Sequence, residues 1–348
     1  MPDVWFAIPG DLNALTGGYG YARRLMAALP AAGWTPHHVP LPGGFPNPST
    51  EELALTRDIL MQLPSGTPVL IDGLAFGVMP PDLLAELDLT LIALVHHPLA
   101  DETGLSEADV HRVKTSERAA LALAQTVIAT SPHTAQCLVR DYGVPPAYMH
   151  LALPGTDPAP RAQPANAVPK LLTVATLTHR KGHDILINAL AEITDIPWTS
   201  AVVGSQERDP AVTQRVHDLI TQHHLRDRIA LRGELQDEAL AAAYAEADIF
   251  VLPSRHEGYG MVFAEALARG LPIVACAAGA VTDTVPADAG ILVPAENPAA
   301  LATALRQVLT DRNLRKNLGD ASWKHGQALQ DWNDTAAQVA EALWAGAA

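Results

Sequence analysis

The 348-residue chain holds only two cysteines, Cys137 and Cys276, with no Cys-x-x-Cys pair and no metal-ligand spacing around either. That excludes a disulfide framework, and both are expected as buried thiols in a reducing compartment. Basic residues are also scarce: 23 Lys and Arg stand against 38 Asp and Glu, a formal net charge of −15. With no basic stripe to release counterions, a nucleic-acid partner is excluded. No apolar run reaches the roughly 18–20 residues of a membrane-spanning helix, so no transmembrane segment is expected. The first residues, Met1-Pro-Asp-Val-Trp-Phe-Ala-Ile-Pro9, lack the basic start and long apolar stretch of a signal peptide, which points to the cytoplasm. Asp-x-Asp, Gly-x-Ser-x-Gly and a phosphate-loop lysine are missing too.

What is present is ordinary globular composition, 48% hydrophobic and 18% charged, at a length that suggests two domains. Short β-type runs alternate with helix-period segments. In the first half the runs are Val4–Ile8, His37–Leu41, Val69–Ile71, Thr90–Val95 and Thr126–Ala129. After a Pro-rich stretch the pattern restarts with Leu171–Ala175, Thr199–Val203, Arg228–Leu231, Ile249–Leu252, Ile273–Ala275 and Ile291–Val293. Such alternation gives parallel sheets covered on both faces. The expected α/β architecture is therefore two doubly wound, Rossmann-like domains across a cleft, with ligands beyond the carboxyl ends of the strands. The expected bounds are 1–155 for the first domain, 156–169 for a linker and 170–329 for the second, with a C-terminal helix over 330–348 returning to the first.

The richest segment is Pro253-Ser-Arg-His-Glu257-Gly-Tyr-Gly260-Met-Val-Phe-Ala-Glu265-Ala-Leu267. It reads as a glycine loop leaving a buried strand and opening a helix that stops at Gly270. Glycines let backbone N–H groups approach a ligand, and the helix start behind Gly260 is an anion site. Glu257 in the loop and Glu265 in the helix supply acceptor-only groups, which suit the hydroxyls of a sugar and a ribose.

Other segments carry two readings each. Gly17 and Gly18 either line a ligand site through their N–H groups or form a tight turn; the spacing is not Gly-x-Gly-x-x-Gly. His96 and His97 end an apolar strand and either meet substrate or cap it, with Asp101 and Glu102 following. His179-Arg180-Lys181-Gly182 lies just past a strand end, where two cations beside a glycine suit a departing diphosphate. Gly204, at another strand end, is either a base or ribose contact or an ordinary turn. His111-Arg112-Val-Lys114-Thr-Ser-Glu-Arg118 is the one locally basic stretch of the first half, and reads as a solvated face.

Together these residues resemble the retaining glycosyltransferases of family 4, which have the GT-B fold. The likeness runs in order through Gly17-Gly18, His96-His97, Ser131, Pro154-Gly-Thr-Asp157, Arg180-Lys-Gly182, Gly204, the Glu257–Glu265 segment and Gly290-Ile-Leu-Val-Pro294. It implies a metal-independent enzyme that needs no cofactor and uses a nucleotide-diphosphate sugar as donor. Glu257 would hold donor-sugar hydroxyls, Glu265 the ribose, and Gly260, Met261 and Val262 the phosphate or sugar through backbone N–H groups. Lys181 would neutralise the diphosphate, His96 would touch the sugar, and Gly18 would let the first loop approach. The family reads Gly-Arg-Leu where this chain has Ala175-Thr176-Leu177, so Arg180 is expected to replace the arginine missing at Thr176. The acceptor is expected to be a soluble small molecule or glycan, since residues 1–150 carry a net charge of −8. A non-catalytic nucleotide-sugar binder and a GT-B sugar-nucleotide epimerase are the alternatives.

Overall fold

Runs of Val, Ile, Leu and Ala with almost no polar interruption form strands buried on both faces. The computed structural model describes residues 1–164 and 166–346 of the chain. The last two positions of the helix expected over 330–348, and position 165 of the expected linker, lie outside the described residues. The chain divides into two units, residues 1–155 with 330–348, and residues 156–329.

In unit 1 the strands are β1 (Asp3–Pro9), β2 (Thr35–Leu41), β3 (Pro68–Asp72), β4 (Thr90–Val95), β5 (Thr126–Ala129) and β6 (Met149–Leu151). They pair in the order β2-β1-β3-β4-β5-β6, every pair parallel. Parallel pairing needs a crossover between consecutive strands, and helices supply it on both faces. Strand β6 has no signal in the apolar pattern: two of its three residues are half-buried and Leu151 is exposed, as suits an edge.

The helix Trp332–Gly346 completes this unit. Trp332 meets the buried Tyr21 ring edge-on at 5.7 Å, and Trp344 lies 4.8 Å from Trp34. Gln330 and Thr335 both donate to the Leu153 carbonyl, at 2.7 and 2.8 Å.

Unit 2 contains β7 (Lys170–Val174), β8 (Thr199–Val203), β9 (Ile229–Leu231), β10 (Ile249–Leu252), β11 (Ile273–Cys276) and β12 (Gly290–Val293). Their order is β12-β11-β10-β7-β8-β9, again all parallel. The chain order reverses between β7 and β10, and the loops after those two strands flank the crevice where doubly wound sheets bind ligands. In unit 1 the same reversal falls between β1 and β3. Residues 156–164 lie on unit 2, where Ala162 donates to the Arg269 carbonyl at 2.9 Å and Arg161 pairs with Asp320.

Two expectations need correction. Cys276 is buried, but Cys137 is only half-buried, because its helix presents it beside Asp141, whose carboxylate accepts from the thiol at 3.5 Å. Gly17 and Gly18 are not in a loop; they form the first turn of the helix Gly17–Ala28.

Candidate active site

In unit 2 the loop after β10 runs from Pro253 to Gly260. It ends on a left-handed glycine, Gly260 at φ 83°, which opens the helix Met261–Ala268. A side chain at that backbone angle is strained, so glycine is required for the turn. Met261 and Val262 then form the first turn, where backbone N–H groups have no intrahelical partner.

Glu257 sits in this loop and is 4% exposed. Its carboxylate accepts from Lys181 Nζ at 2.6 Å and from Ser254 Oγ at 2.6 Å, and Arg180 Nη1 lies 3.5 Å away. Burial alone would push its pKa up; the Lys181 and then Arg180 charges outweigh burial and hold the pKa at about 2. The group is therefore an anion at neutral pH. Arg180 also donates to the His256 carbonyl at 2.9 Å. Three residues picked from sequence, Arg180, Lys181 and Glu257, thus meet at one point.

The turn that carries the cations, His179–Lys181, follows β7 and is closed by Gly182 at φ 67°. A Cβ on Gly182 would lie 2.1 Å from the Pro253 carbonyl oxygen, so the two loops are in backbone contact. Gly204 follows β8; a Cβ there would lie 2.0 Å from the Ala175 carbonyl oxygen.

Glu265 is half-buried in the second turn of its helix and accepts from Tyr244 Oη at 2.7 Å. Burial raises its pKa, opposed by the Tyr244 hydrogen bond and the Arg269 charge. The Arg269 guanidinium lies over the Tyr244 ring at 4.5 Å.

In unit 1, His96 follows β4. Its Cδ2 and Nε2 are each 3.4 Å from where a Cβ on Gly18 would stand, so Gly18 and His96 are together; Gly17 faces open space. The His96 carbonyl accepts from Thr134 Oγ1 at 3.2 Å. Nε2 makes no hydrogen bond among the described residues and stands 3.9 Å from Asp72 Oδ2. Burial, reinforced by His97, lowers its pKa to about 4, so the ring is neutral at pH 7.

Sequence reasoning missed Ser254, Asp72, Tyr244 and Arg255. Ser254 and Arg255 stand within the quoted loop, and Asp72 ends an apolar strand, where a polar residue was visible. Nothing in the alanine-rich run around Tyr244 distinguishes it. Arg255 is half-buried and donates both terminal nitrogens to Asp184, at 2.9 Å each. Among the described residues no group of three potential ligands is arranged to hold a metal ion.

Residues 160–325, which hold the loops after β7, β8 and β10, match the model of the family described as glycosyl transferases group 1. A sucrose-phosphate synthase from Thermosynechococcus elongatus superposes with a TM-score of 0.80 at 26% identity, over 97% of each chain. The stretch 160–325 is similar to the group 1 glycosyltransferases. Each of the chain's two units is a Rossmann-like α/β domain, the pair of domains that makes up the GT-B fold class. Among curated relatives, the D-inositol 3-phosphate glycosyltransferase of Xylanimonas cellulosilytica is 29% identical over 241 residues, 64% of this chain and 57% of the relative. An MMP alpha-(1->4)-mannosyltransferase from Mycolicibacterium hassiacum is 27% identical over 315 residues, 85% of this chain and 74% of the relative. The chain spans 57%, 52% and 62% of three inositol-phosphate relatives.

Proposed function

We propose that this chain is a retaining, metal-independent glycosyltransferase that moves a sugar from a nucleotide-diphosphate sugar to an acceptor hydroxyl. The observation that carries the reading is the buried Glu257 anion, held by Lys181, Arg180 and Ser254 just ahead of the helix that Gly260 opens. A cation pair and a helix start stabilise the negative charge that develops on a departing diphosphate. The bond from the anomeric carbon to phosphate oxygen breaks as the acceptor oxygen bonds that carbon from the same face. The acceptor proton passes to the leaving phosphate oxygen, and nucleoside diphosphate departs. Glu257 is already engaged by a cation and a hydroxyl, which suits holding sugar hydroxyls better than acting as a free nucleophile.

Glu265, steadied by Tyr244 at one oxygen, is assigned to the ribose hydroxyls, and Met261 and Val262 to phosphate. His96, neutral and beside Gly18, is assigned to the sugar. Arg180 takes the part of the family arginine replaced by Thr176; its guanidinium already reaches the Glu257 loop. Thr176 is also the observation that favours a non-catalytic nucleotide-sugar binder, and turnover decides between the two.

The acceptor is a soluble small molecule or glycan met in the cytoplasm. Supporting this, the stretches that follow the strands of unit 1 (10–16, 42–49, 73–80, 96–106, 130–131 and 152–155) contain no Lys or Arg, and they include Asp11, Asp101 and Glu102. Such loops offer little attraction to an anionic headgroup.

A panel of UDP-, GDP- and ADP-sugars tests the donor. The correct one at 100 times its Kd adds about 2.7 kcal/mol to folding stability, and turnover with retained anomeric configuration is read by NMR. A panel with no stabilisation and no turnover would sink the proposal.

A further inference from the structure

We propose that Arg255 is a positioning residue for this reaction, a role that rests on the reading above: it holds the cation-bearing turn in register with Glu257. Its side chain is only 9% exposed, and its charge is met by the carboxylates of Asp184 and Glu296. Nη1 and Nη2 donate in parallel to the two oxygens of Asp184, at 2.9 Å each. Nη1 also donates to the His179 carbonyl at 2.6 Å, and Nη2 reaches Glu296 Oε2 at 3.2 Å, with Nε bonded to the other Glu296 oxygen. The Arg255 backbone N–H meets the Arg180 carbonyl at 2.7 Å. One residue therefore grips the main chain of the cation turn at both His179 and Arg180, and the next helix through Asp184.

Two further features point the same way. Glu296 reaches Arg255 from a left-handed backbone, φ 57°, a conformation that non-glycine residues rarely adopt. The contact thus coincides with local backbone strain that the surrounding structure must hold. Two residues beyond Arg255, Glu257 meets Lys181. If the turn shifts, Lys181 and Arg180 move off that carboxylate together. A planar guanidinium satisfies Asp184 and the His179 carbonyl at once; an ammonium has no such fork.

The test is Arg255→Lys, with Glu296→Gln as a second variant at an exposed position that does not threaten folding. Turnover is measured with whichever of UDP-glucose, GDP-mannose or ADP-glucose the wild type uses. Arg255→Lys is expected to lower kcat at least tenfold, and Glu296→Gln about threefold, with melting temperatures within a few degrees of wild type. In a Lys181→Ala background Arg255→Lys is expected to cost several-fold less than in the wild type, because one of the two cations it positions is gone. Hydrogen exchange of the free protein reads the register without substrate, and faster exchange confined to residues 179–184 and 253–260 is expected. Losses that multiply fully with Lys181→Ala, or that simply follow melting temperature, overturn the role, as does unchanged exchange. A wild type that turns over no nucleotide sugar sinks the transferase reading, and exchange then decides whether Arg255 sets the register.

Discussion

Lys181 and Glu257 are each other's counter-ion: Nζ and Oε1 lie 2.6 Å apart, with side chains 17% and 5% exposed. The cation assigned to the diphosphate is thus held, before any ligand binds, by the carboxylate assigned to the sugar. Lys181→Met is expected to lower kcat by about 10²–10³, the range for removing one stabiliser of transition-state charge. It also leaves the buried carboxylate with only Ser254 and the more distant Arg180, a loss of at most about 3–5 kcal/mol. Lys181→Met with Glu257→Gln should regain much of the stability and none of the turnover. Urea unfolding and steady-state kinetics separate the two effects, and a double variant no more stable than the single one would show that the pair does not hold the loop.

The two glutamates should divide the donor between them. Glu265→Ala is expected to weaken binding of nucleoside diphosphate by roughly tenfold to a hundredfold, matching a charged hydrogen bond of about 1.5–3 kcal/mol. Glu257→Ala should leave nucleoside diphosphate binding nearly intact while raising KM for the sugar nucleotide. Tyr244→Phe should follow Glu265→Ala, more weakly. Calorimetry with nucleotide alone measures all three, and equal losses at Glu257 and Glu265 would refute the division.

A buried carboxylate in unit 1 sets a pH dependence of stability. Glu117 is 1% exposed and accepts from the Leu99 N–H at 2.9 Å. Burial raises its pKa to about 8 from 4.5, with the Leu99 hydrogen bond pulling the other way. The folded state keeps the proton that the unfolded chain releases, so stability is fully present below about pH 4.5 and falls as pH rises to about 8. Glu117→Gln keeps an acceptor for Leu99 and removes the titration. It is expected to melt several degrees above wild type at pH 8 and close to it at pH 5, and scanning calorimetry at the two pH values measures the difference. Glu257 works in the opposite sense, its contribution being present above about pH 4.5 and lost as pH falls toward about 2.

Turnover is expected to survive EDTA, because Lys181 and Arg180 supply the positive charge that a metal ion otherwise brings to a diphosphate. Loss of activity on chelation, restored by magnesium or manganese, would require a metal-dependent mechanism.

Binding to vesicles rich in anionic lipid should be weak at physiological salt. The basic helix face around His111–Arg118 is exposed, but an exposed cation near such a surface contributes about 1 kcal/mol, and the first 150 residues are net acidic. Co-sedimentation that disappears when Arg112, Lys114 and Arg118 are neutralised would point instead to a lipid acceptor.

Much of the fold was legible because a parallel strand buried on both faces is an apolar run, and Ile249–Leu252 or Thr90–Val95 carries no other reading. Strand β6 was hidden by its position at an edge, where Met149-His-Leu151 needs no apolar pattern. At the site, glycines and charges near strand ends were visible, and Arg180, Lys181 and Glu257 do meet. What stayed out of reach were long-range partners: Tyr244 to Glu265, 21 residues apart, and Arg255 to Asp184, 71 apart. Such pairs depend on how loops cross the sheet rather than on any local spacing. Arg255 was in plain view but indistinguishable from a surface arginine.

The helix Trp332–Gly346 has a consequence for synthesis. Residues 1–155 leave the ribosome first, yet the face that includes Tyr21 and Trp34 stays uncovered until Trp332 and Trp344 have been made. Residues 156–329 form one uninterrupted stretch and have everything they need as soon as they emerge. The later-made unit is therefore the first that can finish folding, and the earlier one must wait, half-clothed, for the helix Trp332–Gly346.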